Sequence, residues 1–389
     1  MSKNIKIGLM GSLVNNGNLG CCALTYGTLS LLEKISKTNN VEFTYMIFER
    51  NSSEVKNKEL AQKLGIDESK IIGVELPHFL RPYKIRDNYQ GIKKIKNCDL
   101  FINLTQGDSF SDIYGIKHFL ICWIDAWMAT LLKKPLIMGP QTYGPFQTKL
   151  GFKLAKILLN NSIAIFTRDT LSQQYLLKYM NINSILTSDI AFNMPYNSRK
   201  RQVDYSKKVG INVSGLLWSD KKEGTPTKFT LKSNYDSLIV QTIKYLLEQK
   251  YDIYMIPHVA SDIPICQKLV KTYNLNIKIC NNPIEVKEAI SEMDLFIGAR
   301  MHSAIAAYDT NVPLIPMAYS RKFSGLFNDL DYNVLVDLQT NSTEKNIIEI
   351  KKYIDNLEEL KSKLKNSKEI LETKNLTLEK SMEQIIIQN

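Results

Sequence analysis

The stretch DLFIGARMHSAIAAYDTNVPLIPMAYSRK, from Asp294 to Lys322, carries the reading of this chain. Leu295, Phe296 and Ile297 form a short apolar run that stops at Gly298. Arg300, Met301 and His302 follow, then a small-residue run from Ser303 to Tyr308, a Pro-containing turn and a second apolar run at 314–317. Strand, helix and strand in that order are the repeating unit of a parallel α/β sheet. Ligands of open α/β sheets bind at the carboxyl ends of strands, and helix N-termini offer N–H groups to anions. Arg300 adds a planar fork suited to carboxylate or phosphate. His302 adds a group that exchanges protons near neutrality. The expected guest is a small anion that needs acid–base help, held around Arg300, Met301 and Ser303. A single His on such a turn is more often structural than catalytic, so the weight rests on the motifs around it.

Outward from this stretch, strand-like and helix-like runs alternate along the whole chain. Strands are expected at 5–10, 43–48, 71–76, 100–104, 136–138 and 163–167, with helices at 22–36, 117–132 and 171–179. The polar segment 194–208, with Pro195, Ser198, Arg199, Lys200 and Arg201, reads as a linker. A second set of strands is expected at 209–213, 253–257, 277–280, 295–297, 314–317 and 334–336, followed by a charged helical tail at 342–388. The expectation is two Rossmann-like, doubly wound α/β domains facing a cleft, at 1–195 and 205–340, with a helical segment at 341–389. This layout resembles the GT-B architecture.

A chain of 389 residues suits two domains, and 44% hydrophobic content suffices for their cores. No apolar run is long enough to span a bilayer. The opening MSKNIKIGLMGS enters a strand without a signal-peptide pattern, so the expected location is cytoplasmic, with peripheral binding at the inner face of the membrane as a variant. The net charge of +11 favours anionic membranes or substrates over nucleic acid, because no basic-aromatic stripe or helix-turn-helix pattern accompanies it. Scattered lysine accounts for much of the excess and reads as solvated surface. The six cysteines show no CxxC spacing and no clustering with the four histidines, so neither a metal nor a disulfide framework is expected.

Other polar motifs fall at expected strand ends. The loop LVNNGNLG (13–20) offers Asn16, Gly17 and Asn18; it is not a dinucleotide fingerprint, and no nicotinamide cofactor is expected. The loop TQGDSFSDIYG (105–115) offers Ser109, Ser111 and Asp112 for sugar hydroxyls, with turn capping as the competing role. MGPQTYGPF (138–146) holds Gln141 in a stiff loop with two Gly-Pro pairs. Arg168-Asp169 puts a second Arg at a strand end, for an anion or for a salt bridge to Asp169 or Asp189. Asn212 and Ser214 alternate along GINVSGLLW, and His258 follows Pro257, where it meets an anion or caps a helix. His78 and His118 lie outside any such arrangement.

Taken in order, these segments resemble the polysaccharide pyruvyl transferase family from Gly11 to about Asp331. The resemblance implies a GT-B-like fold and transfer of a pyruvyl group from phosphoenolpyruvate to two hydroxyls of a sugar, forming a cyclic ketal. It implies that Arg168, Arg300 and His302 serve phosphoenolpyruvate; the residues themselves add helix-start donors at Met301 and Ser303, Lys322 against phosphate charge, and His258 as a further contact. Phosphoenolpyruvate is then a co-substrate, and no cofactor or metal is required. The partner is a saccharide acceptor, lipid-linked at the membrane surface in one variant, and no nucleic acid. The first-domain loops depart from the family pattern at Gly17-Asn18, Gly20-Cys21 and Gln106-Gly107-Asp108, which bears on the acceptor rather than the donor. A GT-B glycosyltransferase using a nucleotide-sugar is the competing enzyme, and a non-catalytic relative is the competing binding protein. The former needs a carboxylate for the ribose, for which Asp329 is the available candidate.

Overall fold

Apolar strands can be buried on both faces only if helices cover each side of the sheet. That arrangement is built twice. The computed structural model describes residues 4–77, 85–107, 110–197, 207–218 and 230–388. Ser109, His78 and the expected linker residues 198–206 lie outside them.

The first sheet comprises β1 (Asn4–Met10), β2 (Glu42–Glu49), β3 (Ile71–Glu75), β4 (Leu100–Asn103), β5 (Leu136–Gln141), β6 (Ala164–Thr167) and β7 (Ile185–Leu186). All pair in parallel, in the order β3-β2-β1-β4-β5-β6-β7. Its helices are α1 (Leu19–Asn39), α2 (Glu54–Leu64), α3 (Ile85–Lys96), α4 (Ile116–Leu131), α5 (Lys149–Asn160) and α6 (Thr170–Tyr175). Phe48, Phe101, Phe110, Phe119 and Tyr143 fill the core between them.

The second sheet comprises β8 (Lys207–Asn212), β9 (Tyr251–Met255), β10 (Asn276–Ile277), β11 (Leu295–Gly298), β12 (Leu314–Ala318) and β13 (Val336–Asp337). Its order is β10-β9-β8-β11-β12-β13, again parallel. Between them run α7 (Tyr235–Glu248), α8 (Ile263–Tyr273), α9 (Pro283–Ser291), α10 (Met301–Asp309) and α11 (Arg321–Asn328); α12 (Thr343–Asp355) and α13 (Leu357–Gln388) follow. Both orders reverse between the first and fourth strand, at β1/β4 and at β8/β11, which is where doubly wound sheets take their ligands.

Several boundaries differ from the sequence expectation for local reasons. The strand expected at 277–280 ends early: Lys278 N donates to Met255 O (2.9 Å), the last residue of β9, and nothing remains beyond it to pair with. Val334 N donates to Tyr332 O (2.8 Å) in a tight turn, so the strand expected at 334–336 begins only at Val336. The two-residue β7 is too short to read from periodicity. The helix expected at 22–36 starts at Leu19.

The chain divides into two compact units, Met1–Asn16, Cys21–Pro195 and Glu372–Asn389 in the first, Gly17–Gly20 and Tyr196–Leu371 in the second. Residues 341–389 therefore do not stand alone as the helical segment expected from the sequence. In the second unit Tyr308 Oη bonds Ser367 Oγ (2.7 Å). In the first, Lys34 pairs with Glu379 (2.6 Å), and Leu378, Met382 and Ile386 are buried.

Candidate active site

In the second unit, β11 is buried along its length and runs into Arg300, whose backbone is extended (φ −102°, ψ 123°) as the residue before α10. The Arg300 carbonyl receives Ser303 N and Ala304 N (each 3.1 Å) and the Ser303 hydroxyl (2.7 Å). Ser303 is thus spent on starting the helix, and buried Met301 is its first residue. Arg300 N donates to Asn212 Oδ1 (3.1 Å), while Asn212 Nδ2 donates to Ile256 O (3.0 Å). Asn212, expected among acceptor contacts, fastens the ends of β8, β9 and β11 together.

The guanidinium is gripped from one side. Nε and Nη2 of Arg300 donate to the two oxygens of Asp262 (3.1 and 2.5 Å). Asp262 is fully buried and also receives Gly215 N (2.8 Å). A Cβ on Gly215 would lie 2.7 Å from Ser261 O, so only glycine brings this backbone to the carboxylate. Burial works against the charge on Arg300, but the Asp262 hydrogen bonds and charge outweigh it and raise its pKa. The cation is therefore fixed in protonation and orientation.

His258 lies 3% exposed, and neither ring nitrogen has a hydrogen-bond partner among the described residues. Burial, then the neighbouring His302 and Arg300, push its pKa down to about 3, so the ring is neutral. Ser214 Oγ is also buried without a partner among the described residues, and Ser214 N donates to Tyr235 Oη (2.9 Å). Lys322 is half-buried in the first turn of α11. Gly17 and Asn18, expected with the first domain's acceptor loop, belong to the second unit, where Asn18 forms an antiparallel bridge with Val259.

In the first unit, Arg168 follows β6 and is 2% exposed. Its Nη1 pairs with Asp189 (2.7 Å) and its Nε donates to Thr142 Oγ1 (3.0 Å), while Nη2 has no partner among the described residues. Asp169 caps α6 through Ser172 N (2.7 Å). Gln141 donates to Tyr143 Oη (3.2 Å) and keeps Oε1 unpartnered. Ser111 donates to the Pro145 carbonyl, and Asp112 accepts Gln147 N (2.6 Å), Thr148 N (2.9 Å) and Thr148 Oγ1 (2.6 Å). Both side chains thus tie 111–112 to residues 145–148, and Ser111 Oγ also accepts Ile113 N (3.3 Å), the turn-capping role. Asn16 is exposed.

Three residues of this kind were missed in the sequence. Asp262, just before α8, carries no local signal in the sequence. Glu49, the last residue of β2, is 1% exposed; its Oε2 accepts Val14 N (3.0 Å) and Asn15 N (3.3 Å), and its Oε1 has no partner among the described residues. Burial raises its pKa, against the pull of those two amides. Ser12, just past β1, is fully buried with Oγ unpartnered. A carboxylate closing an otherwise apolar strand was the available signal for Glu49. Beside them, Thr105 and Gln106 hold positive φ (47° and 56°) just past β4, a strained backbone for a β-branched residue.

Two Rossmann-like sheets of the same order define a two-unit α/β protein of the GT-B-like class. Solved structures of that class agree at the level of fold. Anabaena HepE, in complex with UDP and glucose, matches with a TM-score of 0.59 at 11% identity, over 99% of this chain and 100% of that one. The UDP-GlcNAc 2-epimerase of Neisseria meningitidis, bound to UDP-GlcNAc, matches with a TM-score of 0.58 at 10% identity, over the full length of both. The chain belongs to the polysaccharide pyruvyl transferase family, whose model matches residues 18–321. It is 23% identical over 299 residues to the amylovoran biosynthesis protein AmsJ of Erwinia amylovora, covering 70% of this chain and 69% of that protein. Among the described residues no helix is long and apolar enough to cross a membrane.

Proposed function

We propose that the protein transfers the pyruvyl group of phosphoenolpyruvate to two hydroxyls of a sugar in a cell-surface polysaccharide or its precursor. The observation that carries this reading is the turn after β11 in a chain of this family. There a guanidinium held in a fork by Asp262 stands two residues from His302, beside a neutral, buried His258. Arg300 binds an oxyanion of the donor in this scheme, and His302 moves protons. Protonation of the methylene carbon makes the central carbon electrophilic. One acceptor hydroxyl adds there, the C–O bond to phosphate breaks, and the second hydroxyl closes the ketal. Of the two hydroxyl protons, one balances that on the new methyl group and the other leaves with phosphate.

The competing reading is a nucleotide-sugar glycosyltransferase, favoured by the UDP-bound structures of the same fold. Thermal unfolding with phosphoenolpyruvate or a panel of UDP-sugars separates the two. A ligand that binds only the folded state raises the melting temperature, by about 2.7 kcal/mol of stabilisation at a hundredfold excess over Kd. The expected result is a concentration-dependent rise with phosphoenolpyruvate, followed by phosphate release when an acceptor glycan is supplied. A rise with UDP-sugars alone replaces this reading with the glycosyltransferase.

A further inference from the structure

The segment Gly17–Gly20 precedes most of the first unit in sequence but is built into the second. Its backbone is laced to the residues that follow β9. Ala260 N donates to Gly17 O (2.8 Å), and Leu19 N donates to His258 O (3.1 Å). Asn18 bridges Val259, and its Oδ1 accepts Gly20 N (3.1 Å), which fixes the first turn of α1. The segment is thus held at both ends and along its length, and Gly20 is set against the His302 ring. A Cβ built on Gly20 would lie 2.7 Å from His302 Nδ1 and 3.1 Å from His302 Cβ. The first distance is closer than real Cβ contacts come, so any side chain larger than hydrogen must displace the imidazole.

We propose that Gly20 is a positioning residue for His302: its bare Cα forms a wall against the Nδ1 edge of the ring, which directs the Nε2 edge toward the group that receives or gives the proton. The proposal rests on the pyruvyl-transfer reading only for the identity of that group. It turns a loop expected to touch the acceptor into part of the proton-transfer machinery. It also accounts for why the segment sits with the second unit: a wall that sets a ring must be fixed to the same body as the ring.

Gly20 lies inside a helix and its φ is not positive. Alanine thus meets no backbone strain at this position, and its clash falls on the movable imidazole rather than on backbone. Gly20→Ala is therefore expected to fold, and a merely structural glycine would leave the ring undisturbed. The chain has four histidines, so ring-13C labelling of the full-length protein gives four lines, and His302→Asn identifies its own. In Gly20→Ala the His302 line is expected to shift. Turnover should fall about 100-fold, the cost of a misplacement of about 1 Å, while the thermal shift by phosphoenolpyruvate persists. Gly17→Ala, whose Cβ would come within 3.2 Å of Ala260 Cβ, serves as the fold-matched control and is expected to leave the His302 line in place. An unmoved His302 line in Gly20→Ala overturns the proposal, and so does a moved line with turnover unchanged. If wild-type protein neither binds phosphoenolpyruvate nor releases phosphate, the functional reading fails, while the His302 line still decides the role of Gly20.

Discussion

At the scale of single residues, the site separates groups that carry charge from groups that aim them. His302→Ala is expected to keep the phosphoenolpyruvate-induced rise in melting temperature but lose at least about 100-fold in turnover, within the range general acid–base groups supply. Phosphate release under saturating donor checks it, and unchanged turnover removes His302 from the chemistry. Asp262→Ala is a different test. It strands a buried guanidinium, so unfolding in urea should show a loss of about 3–5 kcal/mol, and the donor should bind more weakly because Arg300 is no longer oriented. The Arg300-x-His302 pair was legible in the sequence because strand end, turn and helix start are contiguous. Asp262 was not, because it lies 38 positions from Arg300 and meets it only through the packing of β8, β9 and β11. Ser111 and Asp112 illustrate the opposite limit. Their polar character is evident, yet nothing local distinguishes a side chain for a sugar from one that ties down another loop 34–36 positions away.

At the scale of elements, apolar periodicity located the long strands and helices, and the misses fall where pairing rather than composition decides. The two-residue β7 exists because Ile185 and Leu186 find Phe166 and Thr167 beside them. The far half of α13 is fixed by what its apolar stripe covers. Leu378 is 0% exposed there, and Leu378→Ala should cost about 2–5 kcal/mol in urea unfolding. A cost within about 0.5 kcal/mol would mean that this half of the helix contributes little to the first unit. The Gly17–Gly20 segment was assigned to the wrong side for the same kind of reason, since its backbone partners Val259 and Ala260 are remote in sequence.

At the scale of the whole molecule, the neutral His258 predicts how stability follows pH. The ordinary value of the ring is 6.5 and the folded protein lowers it to about 3. Between those values the unfolded chain binds a proton that the folded one refuses, so stability falls as pH drops through this window, by up to about 1.4 kcal/mol per pH unit from this group. Above 6.5 its contribution is constant. Carboxylates titrate in part of the same range, so the comparison is with His258→Asn, whose stability curve should be flatter between pH 4 and 6; parallel curves would mean that the ring is charged in the fold. The two sheets share one strand order, and the likeness reaches individual atoms. Ser12 stands two residues beyond the end of β1 and Ser214 two beyond the end of β8, each buried with an unpartnered hydroxyl. The turn after β4 carries strained Thr105 and Gln106, and its counterpart after β11 carries Arg300 and His302. The two units thus follow one plan of strand order, with different residues at equivalent positions. Grafting an arginine and a histidine onto the turn after β4 would ask whether a strand end of the same address in the first unit can be given the second unit's chemistry.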